Sequence, residues 1–288
     1  NMSAPTLDIE ILKTWIGRSE SHSDVISPKP VEMMAATLGQ VVDIPKDGAP
    51  LPAAWHWLYF LGAKSRGDLG RDGHAALGEF LPPVALPRRM WAGGHFDFIK
   101  PVYIGEAIKK VSTINKVERK SGRSGELCFV TVRHQLFAGD ELRITDDHNI
   151  VYREDSTSKE PAPPTPAPAD AEIREAITPD PVLLFRYSAL TFNSHRIHYD
   201  VDYCRDVEGY PGLVFHGPLT ATLLLDLASR HSGGKIITDF SYRAISPLFD
   251  INPFTIALAH EEDRLVLWAE TPEGHLAMSA TAKLKEGN

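Results

Sequence analysis

In the second half of the chain the apolar positions fall into runs of two kinds. LTATLLLDLASRH, Leu219 to His231, is apolar on nearly every face, which predicts a helix buried on all sides. Pro218 suits its start and the SGG at 232–234 its end. Four later runs are strand candidates: KIITDFSYRAI from Lys235, FTIALAHEE from Phe254, RLVLWAETPEG from Arg264 and LAMSATAKLK from Leu276. Leu265, Leu267 and Ala269, like Met278, Ala280 and Ala282, alternate as in half-buried antiparallel strands. Ahead of the helix, PVLLFRYSAL from Pro181 reads as strand-like. The polar stretch TFNSHRIHYD (191–200), a short helical stretch from Asp200 to about Val207 and the loop EGYPGLVFHGP then lead into it.

The first half repeats this order with little direct identity. LPAAWHWLYFLGAKS, Leu51 to Ser65, is an apolar and aromatic helix candidate. DGH and FLPPVALPRR follow as a long irregular connection, and then strand-rich segments run from Met90 to Lys120 and from Glu126 to Arg153. GRSGE, Gly122 to Glu126, is the hairpin turn between them. Between the halves, Glu154 to Glu172 carries five prolines and almost nothing apolar, so it reads as an extended, solvated linker. The expected organisation is a first domain over 2–153, a Pro/Ala-rich linker over 154–180 and a second domain over 181–288.

Composition narrows the classes. The chain has 288 residues, 43% hydrophobic and 24% charged, with a formal charge of −8. No lysine or arginine run exceeds two residues, so nucleic-acid binding is not expected. A phosphate-bearing ligand would need a local cluster of positive groups. No apolar run approaches the ~18–20 residues of a membrane span, and the first thirty residues do not read as a signal peptide. The two cysteines, Cys128 and Cys204, form no CxxC pair, which suits a reducing, cytoplasmic setting.

Candidate chemistry concentrates in 191–200, where Asn193, His195, Arg196 and His198 sit together. Imidazole ionises near neutral pH, so His198 is the candidate general base. Asn193 can hold a water through its carbonyl or donate from its amide. Gly217, at the entrance of the 219–231 helix, can offer a backbone N–H to a developing oxyanion. His216 shapes that entrance, and Asp200 either orients His198 or, more naturally, caps the next short helix. Arg88 and Arg89 could fork onto a carboxylate, with Gly93 admitting the ligand near the backbone. His195 and His198 lack a third metal ligand at supporting spacing, and no nucleotide-binding, zinc-protease or serine-hydrolase motif is present. No metal and no separate cofactor are expected.

LTFNSHRIHYD followed by GYPGLVFHGPLTATLLLDL resembles the hydratase segment of the MaoC-like, R-specific enoyl-CoA hydratases. LPAAWHWLYF, DGH, FLPPVALPRRMWAGG and GRSGELCFVTVRH resemble the amino-terminal half of its two-domain members, the 3-methylfumaryl-CoA (mesaconyl-C4-CoA) hydratases and their itaconyl-CoA relatives. The resemblance covers nearly the whole chain. It implies an α+β double hot-dog, two curved antiparallel sheets each wrapped around a long central helix. It places His198 on the catalytic histidine, Asn193 on a position usually held by aspartate, and His216-Gly217 on the His-Gly of the helix entrance. It implies reversible hydration of a short branched dicarboxylic acyl-CoA, coenzyme A being part of the substrate; for such a substrate Arg88, Arg89, Gly93, His195, Arg196 and His216 are the candidate contacts. A homodimer is compatible with the fold. A dehydratase acting on carrier-protein thioesters, or an acyl-CoA-binding protein or thioesterase, are the alternatives. Asparagine cannot take a proton, so an Asp–His division of acid and base duties is not available to this chain.

Overall fold

A computed structural model describes residues 7–40, 45–74, 80–122, 125–155 and 163–287. The first half runs α1 (Ile9–Lys13), β1 (Ser19–Val25), α2 (Pro28–Thr37), β2 (Arg88–Phe98), β3 (Ala107–Gly122), β4 (Gly125–Ala138) and β5 (Glu141–Arg153). The second runs β6 (Ile173–Ile177), α3 (Pro181–Leu190), α4 (Val201–Tyr203), α5 (Gly217–Arg230), β7 (Ile236–Ala244), β8 (Phe254–Glu261), β9 (Arg264–Glu270) and β10 (Leu276–Lys285). All ten strands form one antiparallel sheet in the order β1-β3-β4-β5-β2-β7-β10-β9-β8-β6. Read from either end that order is the same: first strand of the half, then its third, fourth, fifth and second. The duplicated order of elements in the sequence is therefore a duplicated topology.

The halves meet where β2 pairs with β7, from Gly93 opposite Arg243 to Asp97 opposite Asp239. Side chains would obstruct this seam. A Cβ on Gly93 would lie 2.3 Å from the Tyr242 carbonyl oxygen, and one on Gly94 2.5 Å from the Tyr242 hydroxyl. Gly93 thus serves strand approach, at a register shift in β2, and is not among the residues lining the cavity described below. On the same seam His95 meets Asp97 at 3.1 Å and Asp239 at 3.0 Å.

Helix α5 is the long central helix of the second half. Leu219, Ala221, Leu224, Leu225, Leu227 and Ala228 are fully buried, as the all-round apolar pattern requires. Its buried hydroxyls are satisfied along the helix, Thr222 donating to the Pro218 carbonyl at 2.8 Å and Thr220 to the His216 carbonyl at 3.2 Å.

Three local expectations are corrected. Residues 181–190 are helical, not extended. Asp180 caps the helix by accepting from the Leu183 N–H, Pro181 takes the first turn, and burial of Leu184, Tyr187 and Ser188 follows a helical period. The 51–65 stretch contains only a 3₁₀ turn, Trp55–Leu58, bracketed by Ala54 (φ 72) and Phe60 (φ 59) in left-handed conformations. Contacts with the chain around β1 outweigh helical propensity there: Asp24 accepts from the Phe60 N–H and Tyr59 donates to the Ser27 carbonyl. Among the described residues, the first half therefore has no counterpart of α5. Finally, Ile173–Ile177, assigned by sequence to the linker, is β6 and pairs with β8. The expected turn at 122–126 joins Gly122 to Gly125, which face each other across the β3–β4 pair; residues 123 and 124 lie outside the described residues.

Candidate active site

The loop 191–200 enters from the end of α3, where the Asn193 N–H bonds the Ser188 carbonyl and Phe192 takes a left-handed φ of 48. It is fixed on two sides. The Val214 N–H donates to the Ile197 carbonyl at 2.8 Å. From the first half, the Asp72 carbonyl accepts from the Arg196 N–H at 2.7 Å and the Gly73 carbonyl from the Ser194 hydroxyl at 2.6 Å. Gly73 has φ 78, and a Cβ there would fall 2.3 Å from the Ser194 oxygen, so only glycine allows this docking. The DGH segment, which sequence reading took for a connection, thus completes the loop and brings His74 to the cavity.

His198 is 7% exposed and closes a 3₁₀ turn, Arg196–His198. Its Nδ1 lies 2.7 Å from the Val214 carbonyl oxygen. A carbonyl only accepts, so Nδ1 carries the proton and Nε2 holds the lone pair. Nε2 makes no hydrogen bond to a described residue, and His198 lines a cavity of about 780 Å³. Burial lowers its pKa to about 4, with His195 and His74 pushing the same way against the Val214 hydrogen bond. His216 stacks on it, ring centroids 3.7 Å apart at 16°, and is held through Nε2 by the Ser188 hydroxyl at 2.8 Å. Burial foremost, then His198 and His195, keep His216 well below the usual histidine range.

Asn193 also lines the cavity. Its Oδ1 accepts from the His195 N–H at 3.0 Å, which fixes the amide orientation. The polar group left to it is the NH₂, a donor. Gly217 begins α5, between the cavity residues His216 and Pro218, and helix geometry leaves its N–H without an intrahelical partner. A Cβ on Gly217 would lie 2.5 Å from the Trp91 ring, another cavity residue, so the glycine lets that ring close on the helix entrance.

The remaining sequence candidates stand apart from the cavity. Arg88 pairs with Asp155 at 2.9 Å on the surface. Arg89 reaches the wall only through His74, Nη2 to Nδ1 at 3.1 Å. His195 packs edge-on to His198 and His74 with its Nε2 3.5 Å from Asp72, and burial lowers its pKa. Arg196 pairs with Asp200 at 2.7 Å and covers the Tyr203 ring at 4.5 Å, while Asp200 caps α4 by accepting from the Tyr203 N–H. Exposed ion pairs of this kind add little. Arg196→Ala is expected to change KM for the substrate by less than about twofold, measured in a steady-state assay.

Sequence reading missed a second polar group on the same wall, in the first half. Asp146 is 2% exposed and accepts on Oδ2 from His56 Nε2 and Trp57 Nε1, both at 2.8 Å. His148, His134 and Lys110 line the cavity beside it. Burial works to raise the Asp146 pKa, but the nearby His148, and His56 through its charge and hydrogen bond, outweigh it and hold the carboxyl well below its ordinary value. A signal existed: within alternating strands, Lys110 and Ser112 stand between Ile108 and Ile114, and Asp146 and His148 between Ile144 and Ile150, at inward positions.

The family model described as hydroxyacyl-thioester dehydratase type 2 matches residues 54–250. The chain is 46% identical over 277 residues to a protein of Chloroflexus aurantiacus named mesaconyl-C(4)-CoA hydratase, covering 94% of this chain and 96% of that one. It is 28% identical over 268 residues to the mitochondrial hydroxyacyl-thioester dehydratase type 2 of Schizosaccharomyces pombe, covering 82% and 88%. Among solved structures it superposes on a MaoC-like dehydratase from Phytophthora capsici with a TM-score of 0.71 at 13% identity, covering 98% and 100%. A Mycobacterium tuberculosis protein described as having a double hotdog fold matches at 0.54 and 12% identity, covering 94% and 96%. With the family model spanning most of the chain and a relative at 46% identity along nearly all of it, the chain belongs to the hydroxyacyl-thioester dehydratase type 2 family and is a hydro-lyase of double hot-dog fold.

Proposed function

We propose that the chain adds water reversibly across the α,β double bond of a short, branched dicarboxylic enoyl-CoA, 3-methylfumaryl-CoA (mesaconyl-C4-CoA), giving citramalyl-CoA; itaconyl-CoA, whose double bond is β,γ to the thioester, reaches the same product only after that bond shifts into conjugation. The observation that carries the reading is His198, its Nε2 lone pair unengaged on the cavity wall beside the start of α5, in a chain 46% identical to a mesaconyl-C(4)-CoA hydratase. In hydration, Nε2 takes a proton from water as the oxygen bonds to the β-carbon. The electron pair of the double bond moves toward the thioester, and the enolate oxygen accepts from the Gly217 N–H at the positive end of the helix. The imidazolium then returns its proton to the α-carbon, directly or through water. The Asn193 NH₂ donates to the hydroxyl oxygen and holds it in place. Dehydration is the same sequence reversed.

Lys64 and Arg66 are exposed on the cavity lining, together with Phe185, Phe192 and Tyr199. Two cations and three rings suit the phosphates and adenine of coenzyme A. The family description supports a second reading, dehydration of a hydroxyacyl chain on carrier protein. The test is loss of enoyl-thioester absorbance with 3-methylfumaryl-CoA and crotonyl-CoA, beside an enoyl chain on carrier protein, with free thiol followed in parallel and itaconyl-CoA assayed by product. Turnover of a dicarboxylic CoA ester without thiol release is the expected result. Turnover only on carrier protein replaces the substrate assignment, and thiol release without hydration replaces the reaction.

A further inference from the structure

In the second half the concave face of the sheet is filled by α5. In the first half, where the described residues provide no such helix, the inward positions of β3, β4 and β5 carry Lys110, Ser112, His134, Asp146 and His148 in place of an unbroken apolar face. These residues are neighbours across the strands: Ser112 stands opposite His134, and His134 opposite Asp146. Ser112 Oγ lies 2.6 Å from His134 Nδ1, and the His134 and His148 rings meet edge-on at 4.7 Å. Lys110, His134 and His148 also line a second cavity of about 610 Å³ that adjoins the first.

The polar group has unused valences. His56 Nδ1, Asp146 Oδ1 and His148 Nε2 are buried without hydrogen bonds to the described protein, although His148 Nε2 sits 3.4 Å from Asp146 Oδ1. Asp146 already receives two donors, His56 and Trp57. Among the described residues Lys110 Nζ makes no hydrogen bond or ion pair; its contact is the Phe60 ring at 5.3 Å. Two carboxylates act on it through space, Asp146 from β5 and Glu20 from β1, and burial lowers its pKa. A half-buried ammonium on a cavity wall, with imidazole and hydroxyl donors beside it and no carboxylate in contact, is arranged for an anion arriving from the cavity.

We propose that Lys110, flanked by Ser112, His134 and His148, receives the free carboxylate of a dicarboxylic acyl group and so sets the acid specificity of the site. Trp57 and Trp91 connect this end to the chemistry: the Trp57 ring lies 5.9 Å from His148 and 6.5 Å from Trp91, which closes on Gly217. The acyl group lies along these rings, thioester at Gly217 and carboxylate toward Lys110. This role replaces the one that sequence reading gave to Arg88 and Arg89.

The proposal rests on the acyl-CoA reading above, and its test separates the two. Binding of succinyl-CoA and butyryl-CoA, equal in chain length and different in the terminal carboxylate, is measured by calorimetry on wild type, Lys110→Met and Lys110→Arg, with circular dichroism as the check on folding. Wild type is expected to prefer succinyl-CoA. Lys110→Met should reduce that preference by about 10- to 100-fold, the usual worth of a charge-assisted bond, and Lys110→Arg should restore part of it. The ratio of kcat/KM for 3-methylfumaryl-CoA over crotonyl-CoA should fall in parallel. Equal weakening of both ligands, or an unchanged preference, would overturn the assignment. If neither ester binds wild type, the acyl-CoA reading itself fails and takes this one with it; binding without turnover leaves the carboxylate test intact. Should Lys110→Met not fold, Lys110→Gln carries the same comparison.

Discussion

His198→Gln is expected to lower kcat for hydration by about 10²- to 10⁴-fold, the range associated with removing a positioned general base. Glutamine keeps much of the side-chain volume and can still donate to the Val214 carbonyl, so the loop should hold its place. What is lost is the lone pair at Nε2. His216, stacked 3.7 Å away, is not placed to replace it: its Nε2 is engaged by Ser188, and its unpaired Nδ1 is buried, the residue being only 1% exposed. Asn193 cannot supply it either, since Oδ1 is held by the His195 N–H. The same geometry predicts the pH profile. Burial lowers the His198 pKa to about 4 and no carboxylate adjoins the ring to offset it, so the acid limb of kcat/KM should lie near pH 4 and not near 6.5. Steady-state rates on wild type and variant, with butyryl-CoA affinity as a control for binding, check both. A variant within tenfold of wild-type kcat would mean that the base is elsewhere.

The parts of the molecule that were legible in the sequence are those whose local pattern agrees with their environment. Helix α5 is apolar on every face because it is surrounded, β7 and β10 alternate over much of their length, and β8 and β9 are apolar in consecutive positions because they bury both faces around Ala257 and Trp268, so residues 217–285 were readable in outline. The place of His198 and Asn193 on a cavity wall was readable because short polar loops between apolar elements are the segments that tend to line sites. The errors have physical causes. In 181–190 the apolar and aromatic composition points to a strand, while Asp180-Pro181 marks the helix start that the chain adopts. In 51–65 local propensity is overridden by contacts with Asp24 and Ser27, which are remote in sequence. Arg88 and Arg89 looked like carboxylate ligands because they are paired arginines, yet which face of β2 each takes depends on the partners Asp155 and His74. The polar face of the first half escaped notice because its members lie on three strands, and only the register brings Lys110, His134, Asp146 and His148 together.

Stability is expected to fall steeply as the pH drops from about 6.5 toward 4, because three buried histidines must be neutral in the folded chain. His134 is lowered to about 3, by burial first and then by His148, His198 to about 4, and His216 well below its usual value. Unfolded, each titrates near 6.5. Between those limits the unfolded chain binds more protons than the folded one, so stability rises with pH across this window and is lost on acidification. Once the unfolded histidines are charged, each contributes about 1.4 kcal/mol per pH unit, and the three together roughly 3–4 kcal/mol between pH 6 and pH 5. That is a large part of the ~5–15 kcal/mol holding a typical domain. Asp146, depressed by His148 and His56, adds its own loss only below about pH 4, while Asp239, raised by burial, works weakly in the opposite sense. Urea midpoints at pH 7, 6 and 5 measure the slope. His134→Asn should flatten it by about a third whatever it does to stability at pH 7. A slope near zero in wild type would mean that these imidazoles take up protons inside the fold, with the Asp146 group as their counter-charge.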